Sequence, residues 1–157
     1  MSSNDIITIY TDGSCLSNPG GKGGYAAIII KDAIPRFVAG YDDNTTNQSM
    51  ELKAVIAGLK IISVPSNIVV YSDSAYVVNC FRYKWYEKWE VNGWKNSKKE
   101  DVANIGLWTL LLQLVRYHNN VEFRKVKGHS GNIFNEKCDQ LAKDIILFKT
   151  NIDESDK

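Results

Sequence analysis

The order of the apolar runs constrains this chain most. Three β-like runs come first, at residues 6–11 (Ile6-Ile7-Thr8-Ile9-Tyr10-Thr11), 25–30 and about 36–40, joined by short or glycine-rich links. Strands joined that closely pair antiparallel, because a parallel crossover needs room for a helix. Beyond them, helical and strand patterns alternate. A helix over about 50–62 is ended by Pro65, and a β-branched strand follows at 68–72. Next come a helix from Ser74 to about Tyr83 and another over 101–117, with Ile105, Trp108, Leu112 and Val115 on one stripe. A strand at 121–126 and a helix over 134–148 complete the pattern. Hairpins followed by alternation imply an α/β class: a mixed sheet with helices packed on its faces. The length, 157 residues, suits one such domain. We place it at residues 1–148 and expect the polar residues 149–157 to form a loose tail.

Several function classes drop out. No apolar run approaches the ~20 residues that span a bilayer, and the first residues lack the basic-then-apolar pattern of a secretory signal. Three widely spaced cysteines, Cys15, Cys80 and Cys138, make neither a disulfide framework nor a zinc site, so a cytoplasmic, reducing location is expected. Net charge is +1, which excludes a global basic field. The local distribution differs. Arg82, Lys84, Lys88, Lys95, Lys98 and Lys99 stand against Glu87 and Glu90, with three of the four tryptophans among them.

Four acids sit where elements begin or end. Asp12 follows the first strand pattern and Asp73 follows the 68–72 strand. If those strands are parallel neighbours, both carboxylates project from one sheet edge, where open α/β sheets place their sites. Glu51 shares a helix face with Val55, Gly58, Leu59 and Ile62, the stripe that turns toward the sheet. Asp139 borders the stripe Phe134, Cys138, Leu141, Ile145. Singly, each acid has a plain structural explanation as a helix cap, a first-turn acid or a turn residue. Gathered, they repel by about 4 kcal/mol per pair at ~4 Å and an effective dielectric of 20. Such a cluster shifts its pKa values or takes a cation, and an all-oxygen site suits Mg²⁺ or Mn²⁺ better than zinc.

With these residues in view, the chain resembles type 1 ribonuclease H of the bacterial cellular kind. Tyr10-Thr11-Asp12-Gly13-Ser14-Cys15 with Asn18-Pro19-Gly20 is similar to the family's first motif, and Thr45-Thr46-Asn47-Gln48-Ser49-Met50-Glu51-Leu52 to its second. Ser72-Asp73-Ser74 resembles the third, and Val126-Lys127-Gly128-His129-Ser130-Gly131 with Asn135-Glu136 and Cys138-Asp139 the last. The likeness spans about residues 6–145. It implies a five-stranded mixed sheet, three antiparallel strands and then parallel ones, flanked by helices. It implies Mg²⁺-dependent endonucleolytic cleavage of the RNA strand of RNA/DNA hybrids, leaving 5′-phosphate and 3′-hydroxyl ends. Two such ions a few ångströms apart can activate the water and stabilise the leaving oxygen, and a monomer is the default expectation. By motif position Asp12, Glu51, Asp73 and Asp139 hold metal, and His129 shuttles protons or helps product leave.

For substrate contacts the resemblance points to Asn18, Thr46, Asn47 and Gln48 in loops beside the acids. It also points to a basic protrusion at about 82–99 carrying Lys84, Trp85, Lys88, Lys95, Lys98 and Lys99. Burial competes with substrate contact along Val78, Phe81, Trp85 and Trp89. We assign Trp85 to substrate and Trp89 and Trp94 to packing, and leave Trp108 open. Ala75 stands where many members carry a polar residue, and Glu87 and Glu90 dilute the basic segment. Two other readings remain: a hybrid-binding module without catalysis, and a different nuclease on the same fold. The presence of all four acids speaks against the first, and the set of four motifs against the second.

Overall fold

The three amino-terminal runs pair as a meander. In a computed structural model that describes residues 5–17, 20–126 and 132–155, β1 (Ile6–Cys15) pairs antiparallel with β2 (Gly21–Lys31), and β2 with β3 (Ile34–Thr45). β4 (Asn67–Ser72) joins β1 in parallel and β5 (Asn120–Lys125) joins β4 in parallel, giving the order β3-β2-β1-β4-β5. The helices are α1 (Asn47–Ile61), α2 (Ala75–Arg82), α3 (Trp85–Asn92), α4 (Ile105–Tyr117) and α5 (Ile133–Ser155). This is the five-stranded mixed sheet that the motifs imply.

Strand alternation divides the core. Ile7, Ile9, Ala27, Ile29, Ile68 and Val70 form one face, buried with Leu52, Val55 and Leu59 of α1, Val77 of α2 and Trp108 of α4. The opposite face carries Tyr10, Ala26 and Ile28. There α5 lies along β1, β2 and β3, with Cys138, Ala142 and Ile146 buried. Two glycines let helices come this close. A Cβ on Gly13 would stand 2.4 Å from the Met50 carbonyl carbon of α1, and one on Gly24 would stand 2.2 Å from the Ala142 carbonyl oxygen of α5. Gly13 therefore serves helix packing inside a strand, and Asp12-Gly13 is no turn.

Other boundaries move for identifiable reasons. β1 runs on to Cys15 because its last residues pair with β2, register Ser14↔Gly24. α1 begins three residues before Met50, since Thr46 caps it by accepting from the Ser49 amide at 3.1 Å. α4 begins at Ile105 instead of 101. Asp101 pairs with Lys95, and Asn104 at φ 62 interrupts the helix. α5 continues to Ser155, so the expected loose tail starts as helix; residues 149–155 hold neither Gly nor Pro to stop it. Trp108, left open by sequence, is fully buried and donates its indole N–H to Tyr76 Oη at 2.8 Å. It is a core residue.

Gly24→Ala is expected to lose about 1–3 kcal/mol of stability, the range for overpacking against an atom that cannot yield. Gly106→Ala, on α4 with nothing near its added Cβ, is expected to gain about 0.5–1 kcal/mol. Urea unfolding of both variants checks the contrast, and equal effects would refute the close-packing account.

Candidate active site

Parallel pairing sets the first two acids side by side. Thr11 of β1 is in register with Ser72 of β4, so Asp12 and Asp73 take the next position on adjoining chains. Asp12 lies on the α5 face and is only 9% exposed; its Oδ1 accepts from the Gly13 amide at 2.9 Å. Glu51 arrives from the other face. It sits in the second turn of α1, where the backbone presses on Gly13, and its Oε2 accepts from Ser74 Oγ at 2.5 Å. Ser74 also caps α2, accepting from the Val77 amide at 3.2 Å. One hydroxyl thus fixes both a helix start and a carboxylate.

Asp139 completes the group. The buried stripe of α5 is Asn135, Cys138, Ala142 and Ile146, displaced from the expected one toward Asp139. That rotation brings its carboxyl to the sheet edge, hydrogen-bonded with Asp12. Lys143, one turn on, donates to Asp139 Oδ2 at 3.0 Å. Sequence reasoning passed over Lys143 and gave Ser74 only as a helix start within the third motif. The four-residue spacing of Asp139 and Lys143 was the available signal for the first. For the second, nothing beyond its capping role was legible.

The electrostatics record the crowding. Burial pushes the Asp12 carboxyl up to about 8 from 3.8, and the charge of Asp73 and the contact with Asp139 add to it. Glu51 is also raised, chiefly by burial, with the Ser74 hydrogen bond opposing and Asp73 adding. Cys138, its thiol 3.2 Å from the Tyr10 carbonyl, is held well above the usual thiol range by burial and by Asp12. It is an inert packing group. Among the described residues no three carboxylate, thiol or imidazole side chains form a ready-made ion cage. The donor set nevertheless fits a hard divalent cation. Only oxygen ligands are offered, and Asp12 meets its neighbours by keeping a proton where a cation would serve.

The remaining predicted residues divide. Asn18 and His129 lie outside the described residues. Thr46, Asn47 and Gln48 form the cap and first turn of α1 instead of a loop. Next to them Asn44, Thr45, Thr46, Ser49 and Lys53 border an open depression of about 470 Å³. Lys84, Lys88, Lys95, Lys98 and Lys99 are all exposed, and Lys95 also pairs with Asp101. Trp85, Trp89 and Trp94 are all half-buried against the core, so the expected division between Trp85 and the other two is not seen in burial. Trp85, Lys88 and Lys95 do border a shared depression of about 240 Å³. Glu90 does not simply dilute the basic segment, because Arg116 of α4 pairs with it.

Comparison with known proteins decides the family. The RNase H family model matches residues 4–146. The chain belongs to the RNase H family. A Syntrophomonas wolfei protein named ribonuclease H is 53% identical over 141 residues, covering 89% of this chain and 95% of that protein. LC9-RNase H1, described as a type 1 RNase H with the type 2 active-site motif, superposes with a TM-score of 0.80 at 30% identity, covering 90% of this chain and 72% of that one. LC11-RNase H1, solved in complex with an RNA/DNA hybrid, shares the fold at a TM-score of 0.70 and 19% identity, covering 92% and 99%. The protein is a ribonuclease H enzyme of type 1, as its motifs imply, and among the described residues no helix is long and apolar enough to cross a membrane.

A carboxyl whose pKa is higher in the fold than in the unfolded chain favours folding only while protonated. Metal-free protein is expected to hold the Asp12 contribution in full below about pH 4 and to lose it as pH rises toward about 8. Asp12→Asn is expected to flatten that decline and to raise the melting temperature at pH 8 in EDTA. Melting curves from pH 4 to 9 measure it, and an unchanged profile in the variant would remove Asp12 as the cause.

Proposed function

We propose that this chain hydrolyses the RNA strand of RNA/DNA hybrids with divalent-cation dependence, leaving 5′-phosphate and 3′-hydroxyl ends. The observation that carries the reading is the convergence of Asp12, Asp73, Asp139 and Glu51 on one sheet edge in a member of the RNase H family. These four carboxylates would hold two Mg²⁺ ions, with Mn²⁺ a substitute. Bound there, such ions supply an activated water and charge stabilisation at the leaving 3′ oxygen.

The chain's own groups do the rest. Asp12, buried between Asp73 and Asp139, would be held as a carboxylate by a cation that neutralised the cluster. Ser74 keeps Glu51 aimed at the edge. Thr46, Asn47 and Gln48 present the amino-terminal end of α1, where backbone amides and the helix dipole favour a phosphate. Asn18 has the donors and acceptors that 2′-hydroxyl recognition requires. Lys84, Trp85, Lys88, Lys95, Lys98 and Lys99 receive the phosphate backbone beyond the cut. His129 moves a proton or helps product depart. The protein acts as a monomer in the cytoplasm, a location consistent with its free cysteines.

One assay tests the core of this. Labelled RNA/DNA hybrid, duplex RNA and duplex DNA are incubated with the protein in Mg²⁺ or EDTA, beside Asp73→Asn. Cleavage is expected for hybrid alone, in Mg²⁺ alone, and to be abolished in the variant. Duplex RNA cut as fast as hybrid, or activity persisting in the variant, would overturn the reading. Changing Lys95, Lys98 and Lys99 together to Ala is expected to weaken hybrid binding and to flatten its salt dependence. The slope should fall by about 0.7–0.9 for each phosphate no longer neutralised, with kcat largely kept. An unchanged slope would take these lysines off the substrate surface.

A further inference from the structure

α3 is lightly anchored for an element expected to carry substrate. It has two turns and no fully buried residue, and its amino terminus has no side-chain cap. Lys84 at φ 55 and Gly93 at φ 78 bound it, so left-handed residues break the chain at both ends. Trp85 and Trp89 rest on the core, with Trp89 5.6 Å from the Trp108 ring centre. That seam fixes where the helix lies. Tyr86 packs beside it, 5.5 Å from the Phe81 ring centre, so the roll of the helix is held through Tyr86 and through what grips Glu90 one turn on.

Residues four apart share a side of a helix. Tyr86 and Glu90 flank the tryptophan seam on one side, and Lys88 and Asn92 flank it on the other. Arg116, in the last turn of α4, grips the first pair. Its Nη1 donates to Glu90 Oε2 at 2.8 Å and its Nη2 to Glu90 Oε1 at 2.6 Å, while its guanidinium carbon lies 6.0 Å from the Tyr86 ring centre. A planar fork on a carboxylate sets an angle as well as a distance, which a point charge does not.

We infer that Arg116 and Glu90 form a clamp that sets the roll of α3 and thereby turns Lys88 toward the hybrid. Both are positioning residues. The inference rests on the reading of α3 as a substrate surface. It makes Glu90, an acid within a basic segment, a contributor to nucleic-acid binding.

The two accounts of Glu90 differ in sign. Glu90→Gln removes a negative charge, so electrostatics alone predicts tighter hybrid binding. The clamp predicts a weaker complex, with KM raised about threefold, the scale of a well-formed exposed ion pair, and kcat unchanged. Arg116→Gln and the double variant are expected to match it, because either change opens the same fork. Hybrid affinity would be read by fluorescence anisotropy in EDTA and KM and kcat in Mg²⁺, with melting curves to show that the variants stay folded. Glu90→Gln binding as tightly as wild type or tighter overturns the clamp, and so does a double variant restored to wild-type affinity. Lys84→Ala/Lys88→Ala on the same hybrid separates the levels. If it binds normally, α3 is not a substrate surface and the clamp falls with that reading. If it binds weakly while Glu90→Gln does not, the clamp alone falls.

Discussion

The carboxyl-rich edge depends on the parallel pairing of β1 with β4. That register makes Asp12 and Asp73 neighbours. A slip of one residue would send one of them to the other face of the sheet. Once the pair is set, the glycines complete the edge. Gly13 admits α1 so closely that Glu51 reaches the end of β1, and Gly24 admits α5 so closely that Asp139 meets Asp12. Four acids, one inside β1, one just past β4 and two on helices, are gathered by backbone packing, against their own repulsion.

That repulsion is managed locally. The carboxyl of Asp12, the most enclosed, is pushed up by burial and by its acidic neighbours, while Glu51 is answered by Ser74 and Asp139 by Lys143. Each partner belongs to an element already needed for the fold: Ser74 caps α2 and Lys143 lies one turn along α5. The basic segment follows the same pattern, since the cation that answers Glu90 also sits by Tyr86 of the same helix.

Much of this was legible in the sequence, because hydrophobic period is a strong local signal. The meander, the alternation after it, and the position of Asp73 at the end of β4 all follow from residue patterns, whereas Asp12 was expected at a strand end and lies inside β1. What was missed depended on partners far along the chain. β1 extends past Asp12 because β2 pairs with it there, and β2's glycines read as a loop until the helices that require them are in place. The stripe of α5 is displaced from its apolar pattern because Asn135, a polar residue, is buried on it. Trp108 could not be assigned without Tyr76, whose hydroxyl takes its indole proton. The start of α1 was a nearer miss. Thr46 and Ser49 carry the cap, and nothing distant was needed to see it.

The order of the elements has a consequence for how such a protein is made. Asp12, Glu51 and Asp73 lie in the first half of the chain, and Asp139 lies on α5, which follows every strand of the sheet. On a ribosome, where domains emerge from the amino terminus onward, a chain that has not yet released α5 carries three of the four carboxyls and an uncovered sheet face. The cluster closes only when the helix that shields that face docks. Shielding the core and assembling the full set of acids are one event, so a half-made chain, surrounded by RNA, does not yet hold the complete edge.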